Sequence, residues 1–188
     1  MSAISILYSG DHELPSWSNY ESEEDPVESR LLESNYIVPI LWFSLFSEND
    51  LSFVIDPDGE NEDPSNNRIP MLVRRNNECL KALDERTEFL LKIATNCMES
   101  IEKLRDILIT TKGSYISVSM WEVFYMDDEP EEFIQEIQKI LKLFNEQSTE
   151  HIASLLKMAG TDGYDHNGND YLPEKDCSYE YHAIGIAP

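Results

Sequence analysis

The chain has 188 residues, 41% of them apolar, and this length suits one compact domain or one domain with a tail. Its 37 acidic and 14 basic residues give a formal charge of −23, which repels both nucleic-acid phosphates and an anionic membrane surface. No apolar run approaches the ~20 residues that a membrane-spanning helix needs, so we expect neither nucleic acid nor membrane as a partner.

The start of the chain, MSAISILYSGDHEL, lacks the basic region and long apolar stretch of a secretory signal. The three cysteines show no spacing typical of a disulfide framework. A reducing compartment fits these features, and we therefore expect a cytoplasmic protein.

Short apolar runs alternate with acidic loops in the first part of the chain. Ala3–Ser9 predicts a strand and the polar segment 11–25 predicts a loop. The sequence Asp25-Pro26-Val27-Glu28 has the spacing of a helix start, and we expect Leu31 and Leu32 to face inward on that helix.

The next segments repeat this alternation. Pro39 predicts the start of a buried helix through Phe46, and Leu51–Ile55 predicts a strand. Residues 56–67 contain two prolines and no apolar residue, which predicts a loop. Ile69–Val73 then predicts a strand or an extended approach to the following helix.

A heptad pattern is the strongest signal in the chain. Leu80, Thr87, Ala94, Ile101 and Leu108 recur every seven residues, and the complementary positions hold Leu83, Leu90, Cys97 and Leu104. This pattern predicts one helix from about Asn77 to Thr111, roughly 50 Å long at ~1.5 Å per residue. Because further apolar residues widen the stripe beyond a two-stranded seam, we expect this helix to pack inside its own domain.

The last third predicts further helices and a tail. Tyr115–Val118 predicts a strand, and the capping-box spacing of Ser119 and Glu122 favours a short helix through Met126 over a longer strand. Further helices are predicted from Pro130 and over residues 148–158. The expected fold is α+β: a mainly helical single domain over residues 1–160, with a few short strands around a long central helix, and a polar extension over residues 161–188.

No motif predicts catalysis or a metal site. Residues 163–174 partly match an EF-hand loop, but Gly163 replaces the first aspartate ligand and a proline precedes Glu174. Cys79 and Cys97 fall near the apolar face of the predicted central helix, and Cys177 has no second ligand pair at zinc spacing. The segment 9–12 (SGDH) lacks a nucleophile elbow. We expect no catalytic residue, no metal and no cofactor, and hence no enzyme.

Acidic clusters with nearby aromatic residues are the main functional candidates. Between Asp11 and Asp63 there are 15 acidic residues and one basic residue. Aromatic residues rimmed by one sign of charge are typical of a surface that binds a basic protein tightly, although solubility explains any one cluster alone. The candidate contact residues are Trp17, Tyr20, Glu21, Glu23, Glu24 and Asp25; Asp56, Asp58, Glu60, Glu62 and Asp63; and Trp121, Asp127 and Asp128.

The first fifty or so residues resemble an uncharacterised family of small acidic bacterial proteins, of the kind encoded beside secreted toxins. The matching residues are Leu7-Tyr8-Ser9, Pro15, and the run 33–39 (ESNYIVP) that leads into an apolar helix. The resemblance implies a cytosolic binding protein without catalysis. Together with the acidic clusters, it leads us to expect an immunity protein that binds a secreted bacterial effector toxin through an acidic face and occludes it. Two alternatives remain open: an enzyme or metal-dependent protein that uses the tail, and an acidic nucleic-acid mimic that inhibits a DNA-binding protein.

Overall fold

Five strands and five helices make up the part of the chain that the computed structural model describes, residues 4–14, 29–35, 38–56, 59, 67–93, 98–125 and 130–147. The strands are β1 (Ile4–Gly10), β2 (Ser29–Asn35), β3 (Leu51–Ile55), β4 (Arg68–Arg75) and β5 (Tyr115–Ser119). The helices are α1 (Ile40–Phe43), α2 (Asn76–Ile93), α3 (Met98–Thr110), α4 (Trp121–Tyr125) and α5 (Pro130–Glu146). A single 3-10 turn, Glu48–Asp50, precedes β3.

The strands form one antiparallel sheet in the order β2-β1-β5-β4-β3. The β1–β2 and β3–β4 pairs are each formed by strands that are neighbours in sequence. The last strand, β5, lies between these two pairs, with Val118 opposite both Leu7 and Leu72. Because β5 joins the two halves of the sheet, the fold depends on pairing between residues far apart in sequence.

Both faces of the sheet are apolar, since successive residues of a strand point to opposite sides. On one face, Leu7, Leu72 and Val118 belong to a core that includes buried residues of α1, α2, α3 and α5. On the other face, a smaller core contains Ile6, Tyr8, Met71 and Val73 together with Phe124 of α4. The first turns of α5 pack against this smaller core through Phe133 and Ile134. The sheet is therefore the centre of the described structure.

The mainly helical architecture around a long central helix is wrong. The described residues of the heptad segment form two helices, α2 and α3, in place of one. They run antiparallel, because Asn76 Nδ2 donates to the carbonyl of Leu108 and Arg105 Nε donates to Asp84 Oδ1, at 2.9 and 2.8 Å. Residues on the stripe of both helices are buried in one core: Leu83, Leu90, Ile101, Leu104 and Leu108.

The physical reason for the error is the absence of a strong helix terminator. Residues 94–97 read ATNC, with neither glycine nor proline, so local sequence gives little indication of a turn. Folding back allows the two halves of the stripe to bury their apolar residues against each other and against the sheet. A straight helix of this length would extend well beyond a small domain and leave one end of the stripe in water.

The helix expected around Leu31 and Leu32 is also wrong, because these residues belong to β2. Leu32 lies opposite Leu7, whereas Arg30 lies opposite Tyr8, so Leu31 is the extra residue at a register irregularity. Such an irregularity bends the strand and lets two adjacent leucines pack against the same core. The adjacent pair breaks the period-two pattern that identifies a strand from sequence.

Other predicted elements are confirmed within a few residues. Strands occur at β1, β3, β4 and β5, and the short buried helix after Pro39 is α1. The switch from β5 into a short helix is confirmed as α4, and the helix from Pro130 is α5. The helix predicted over residues 148–158 and the extension 161–188 lie outside the described residues.

Candidate partner-binding surface

Asp56 and Trp121 are the predicted contact residues that the structure describes. They come from distant parts of the sequence, yet both contact Tyr125 in α4. The Tyr125 hydroxyl donates to Asp56 Oδ2 at 2.5 Å, and the ring of Tyr125 meets that of Trp121 edge to face, with centroids 6.3 Å apart. We call these three residues the Tyr125 cluster. The remaining candidates lie outside the described residues: Trp17, Tyr20, Glu21, Glu23, Glu24, Asp25, Asp58, Glu60, Glu62, Asp63, Asp127 and Asp128.

The position of α4 is set by contacts on both sides of the helix. Phe124 is buried in the smaller core and meets the ring of Phe133 at a centroid distance of 5.7 Å. Glu122 accepts a hydrogen bond from the backbone N–H of Ile4 at 2.8 Å, which ties the helix to the first residue of β1. With these two contacts fixed, Tyr125 at the end of α4 reaches the end of β3.

The end of β3 is held by backbone contacts. The backbone N–H of Asp56 donates to the carbonyl of Asn67 at 2.9 Å, which extends the β3–β4 pairing by one step. Gly59 approaches this pair so closely that an added Cβ would lie 2.2 Å from Cγ of Asn67. Asp56 and Asn67 are both buried. The Asp56 carboxylate is therefore a fixed acceptor for Tyr125.

The Tyr125 cluster brings together the starting points of two acidic segments. One segment, residues 56–63, continues directly from Asp56, and the other, residues 127–132, begins two residues after Tyr125. The first acidic cluster, residues 21–25, lies in sequence between β1 and β2. It follows Gly10 and precedes Ser29, both at the sheet end where Gly10 pairs with Tyr115. The Tyr125 cluster lies at the opposite end.

Most of the net charge lies outside the described residues. The described part contains 18 of the 37 acidic and 12 of the 14 basic residues, so it carries −6 of the −23. Several of its acids form ion pairs, for example Asp84 with Arg105 at 2.7 Å and Asp50 with Arg74 at 3.6 Å. The remaining −17 divides into −12 in the segments between described ranges and −5 in residues 148–188. The described strands and helices thus carry only a small share of the net charge.

Two exposed apolar side chains occur close to the start of these segments. Tyr125 is 51% exposed, and Ile55, the residue before Asp56, is 45% exposed. Tyr125 was missed among the candidate residues. The sequence could have indicated Tyr125, because it lies four residues after Trp121 on a predicted helix, and side chains at this spacing lie on the same face.

Several described residues are of types that can act in catalysis, and here they are hydrogen-bonded to neighbouring residues or buried. Ser9 Oγ accepts a hydrogen bond from Thr111 Oγ1 at 2.7 Å, and Asp11 accepts from both the backbone and the side chain of Ser114. Burial raises the pKa of the Cys79 thiol far above its usual range, which suppresses thiolate formation. Within the described ranges, no three histidine, cysteine, aspartate or glutamate side chains are grouped as a metal ion requires. Cys97, Cys177 and the EF-hand-like segment lie outside those ranges.

Comparisons with known proteins give no relative. The sequence matches no protein-family model and no curated protein, and the fold matches no solved structure. The similarity of the first fifty or so residues to toxin-immunity proteins therefore stays a prediction. None of the described helices combines the length and the apolar character needed to cross a membrane.

Proposed function

We propose that this protein is an immunity protein that binds a basic bacterial effector in the cytoplasm and occludes its active surface. The observation that carries the proposal is the hydrogen bond between Tyr125 and Asp56, which joins the origins of two acidic segments beside a half-exposed aromatic ring. An aromatic contact residue within a field of one sign suits a partner of the opposite charge.

The proposed mechanism has two parts that different residues supply. The acidic segments attract the effector, and opposite fields can raise association rates by roughly 10- to 1,000-fold. Tyr125 and Trp121 then provide rigid contact area with few rotatable bonds, which slows dissociation. Because Asp56 fixes the Tyr125 hydroxyl, the ring is already ordered before the partner arrives, and less conformational entropy is lost on binding.

The proposal is tested by binding kinetics with the secreted effector encoded beside the gene for this protein. We expect a stable complex, and we expect Tyr125→Ala to raise the dissociation rate by about tenfold or more while the association rate changes little. Tyr125→Phe keeps the ring and removes only the hydrogen bond to Asp56, so it should have a smaller effect. Ile109→Ala is the matched control, because Ile109 is a similarly exposed apolar residue, 61% accessible, on α3.

Two results would contradict the proposal. One is the absence of any complex between the purified protein and that effector. The other is a complex whose rate constants respond equally to Tyr125→Ala and Ile109→Ala, since the Tyr125 cluster would then have no special part in binding.

A further inference from the structure

We propose that β3 is a docking edge, to which an extended basic segment of the partner adds as a further strand of the sheet. The choice of a basic partner rests on the proposed function, whereas the docking edge rests on the sheet itself. The inference names the mode of recognition: backbone hydrogen bonds along β3, with basic side chains of the added strand near the acidic residues at both of its ends.

The first observation is the position and composition of β3. It is the last strand of the sheet and, among the described strands, pairs with β4 alone. An edge strand leaves alternate backbone N–H and C=O groups pointing away from the sheet, and proteins usually protect such an edge with charge, proline or a bulge. The sequence of β3, LSFVI, contains no charged residue, no proline and no glycine.

The opposite edge of the same sheet has the protection that β3 lacks. β2 contains Arg30 and Glu33, which form an ion pair at 3.2 Å on the strand itself. Its pairing with β1 also shifts register between Leu7 and Tyr8. Charged side chains and a register shift both oppose the addition of another strand. The contrast between the two edges singles out β3 as the edge that is open to a partner.

The second observation is the charge at the two ends of β3. Glu48 is exposed in the turn before the strand, and Asp56 follows it, with Asp58 and Glu60 next along the chain. The nearest basic side chain on the strand pair, Arg68, lies over the ring of Phe53 at 4.3 Å. This stacking lies on one face of the strand, and no other described strand pairs with its edge.

This charge arrangement selects between possible occupants. A second copy paired antiparallel through β3 would bring the acidic residues of one copy beside those of the other, and like charges in register are unfavourable. A strand with lysine or arginine near its ends would meet the exposed carboxylate of Glu48 at one end and, at the other, the negative charge of Asp56, which is buried and accepts from Tyr125. At the Asp56 end of β3, the exposed side chain of Ile55 and the nearby Tyr125 ring add apolar contact area beside the edge. A basic strand of another protein is therefore the occupant that fits.

The test follows amide hydrogen exchange in the full chain, with a synthetic peptide of alternating valine and lysine as the probe. In the free protein, we expect alternate amides of Leu51–Ile55 to exchange rapidly, because they face away from β4. With the peptide at ten times its dissociation constant, exchange of these amides should slow by about tenfold, whereas the amides of Ser29–Asn35 should be unaffected. A matched peptide of alternating valine and glutamate should produce no slowing.

A pair of proline variants tests the backbone contact directly. Successive N–H groups of a strand point to opposite edges, so one of Ser52→Pro and Phe53→Pro removes an outward N–H and the other removes a bond to β4. We expect the variant that removes an outward N–H to keep a melting temperature close to that of the parent and to bind the peptide at least tenfold more weakly. Leu32→Pro and Glu33→Pro in β2 are the control pair. The one of these two variants that still folds should bind the peptide as the parent protein does.

Three outcomes would overturn the docking edge. In the first, the lysine peptide slows amide exchange in β2 and not in β3. In the second, the glutamate peptide slows amide exchange in β3 as much as the lysine peptide does. In the third, amide exchange in β3 slows as the protein concentration rises with no peptide present. The last would indicate a second copy as the occupant. The exchange measurement on the parent protein decides the question even if both β3 proline variants unfold. An effector that binds without protecting β3 would contradict the docking edge alone, whereas an effector that does not bind would contradict the proposed function.

Discussion

Arg86 is a buried charge that connects three segments of the fold. Its Nη1 donates to the carbonyls of Ser44 and Phe46, each at 2.6 Å, and its Nη2 donates to Asn145 Oδ1 at 2.7 Å. Its guanidinium also lies 5.7 Å from the centroid of the Phe144 ring. Burial lowers the pKa of Arg86 to about 10, so the group remains charged at neutral pH.

We predict that Arg86→Ala destabilises the protein by about 3–5 kcal/mol, since it leaves buried carbonyl groups without a donor. Arg86→Lys should recover part of this loss, because an ammonium group keeps the charge but cannot reproduce the planar fork of donors. Chemical denaturation of the two variants measures both differences. Equal stability of all three proteins would show that these bonds make no net contribution.

Asp11 provides a pH-dependent contribution at the end of β1. Hydrogen bonds from the backbone and then the side chain of Ser114 hold the pKa of Asp11 below its ordinary value of 3.8. The folded state therefore binds a proton at this carboxyl less tightly than the unfolded state does. The resulting stabilisation is present at neutral pH and is lost as pH falls through the folded pKa.

We predict that Asp11→Asn lowers the melting temperature at neutral pH. The difference from the parent should narrow as pH falls below 3.8 and disappear below the folded pKa of Asp11, because asparagine resembles the protonated acid. Thermal unfolding across this pH range is the measurement. Glu13→Gln, which removes the same charge two residues along the chain, is the control for the change in net charge. A difference that stayed constant with pH would rule out the charge as its cause.

At the scale of elements, the α2–α3 hairpin shows how one apolar stripe can serve two helices. Leu90 is buried in the main core, whereas Ile109 is exposed on α3. We predict that Leu90→Ala costs about 2–5 kcal/mol of stability and Ile109→Ala less than about 0.5 kcal/mol. Urea unfolding compares them. If Leu90→Ala instead dissociated an oligomer without lowering stability, the stripe would be a self-association seam.

The connection from α3 to β5 passes against the end of β1. An added Cβ on Gly113 would lie 2.2 Å from Ser9 Oγ and 2.5 Å from the backbone nitrogen of Gly10. We predict that Gly113→Ala destabilises the protein by about 1–3 kcal/mol, because backbone atoms must shift to admit the methyl group. Lys112→Ala, at the exposed neighbouring residue, should change stability by less than about 0.5 kcal/mol in the same measurement.

At the scale of the whole molecule, charge should govern how fast the effector associates. We predict that replacing Asp58, Glu60 and Glu62 with lysine slows association by about tenfold or more at low salt. Replacing Glu23, Glu24 and Asp25 should slow it less, because Gly10 and Ser29, the strand ends on either side of that segment, lie at the end of the sheet away from the Tyr125 cluster. Both effects should shrink towards physiological ionic strength, where the Debye length is ~8 Å.

A control separates local charge from total charge. Replacing Glu88, Glu102 and Asp106 with lysine changes the net charge equally, but on exposed positions of the α2–α3 hairpin. Surface-binding kinetics at several salt concentrations compare the three proteins. Equal slowing in all of them would mean that only the net charge matters, and no slowing in any of them would leave the acidic segments as solubility features.

The sequence by itself determined the local elements whose signals are contained in a few residues. Short apolar runs identified β1 and β3, and alternation with serine identified β5. Pro39 and Pro130 marked two helix starts, and the capping-box spacing before Glu122 identified α4. The uneven distribution of charge is likewise a property of sequence alone. Each of these features depends on backbone propensity or composition, which requires no distant contact.

Only the tertiary structure decided how these elements meet. The division of the heptad segment into α2 and α3 and the adjacent leucines of β2 depend on burial against partners that are distant in sequence, and no local signal fixes them. The same is true of the Tyr125 cluster, which needs α4 packed on the sheet before Tyr125 can reach Asp56, 69 positions away. The pairing of β5 with β1 and β4 also determines which strands, β2 and β3, form the two edges of the sheet. The physical reason is that burial and pairing energies act between elements, and they override local propensity where the two disagree.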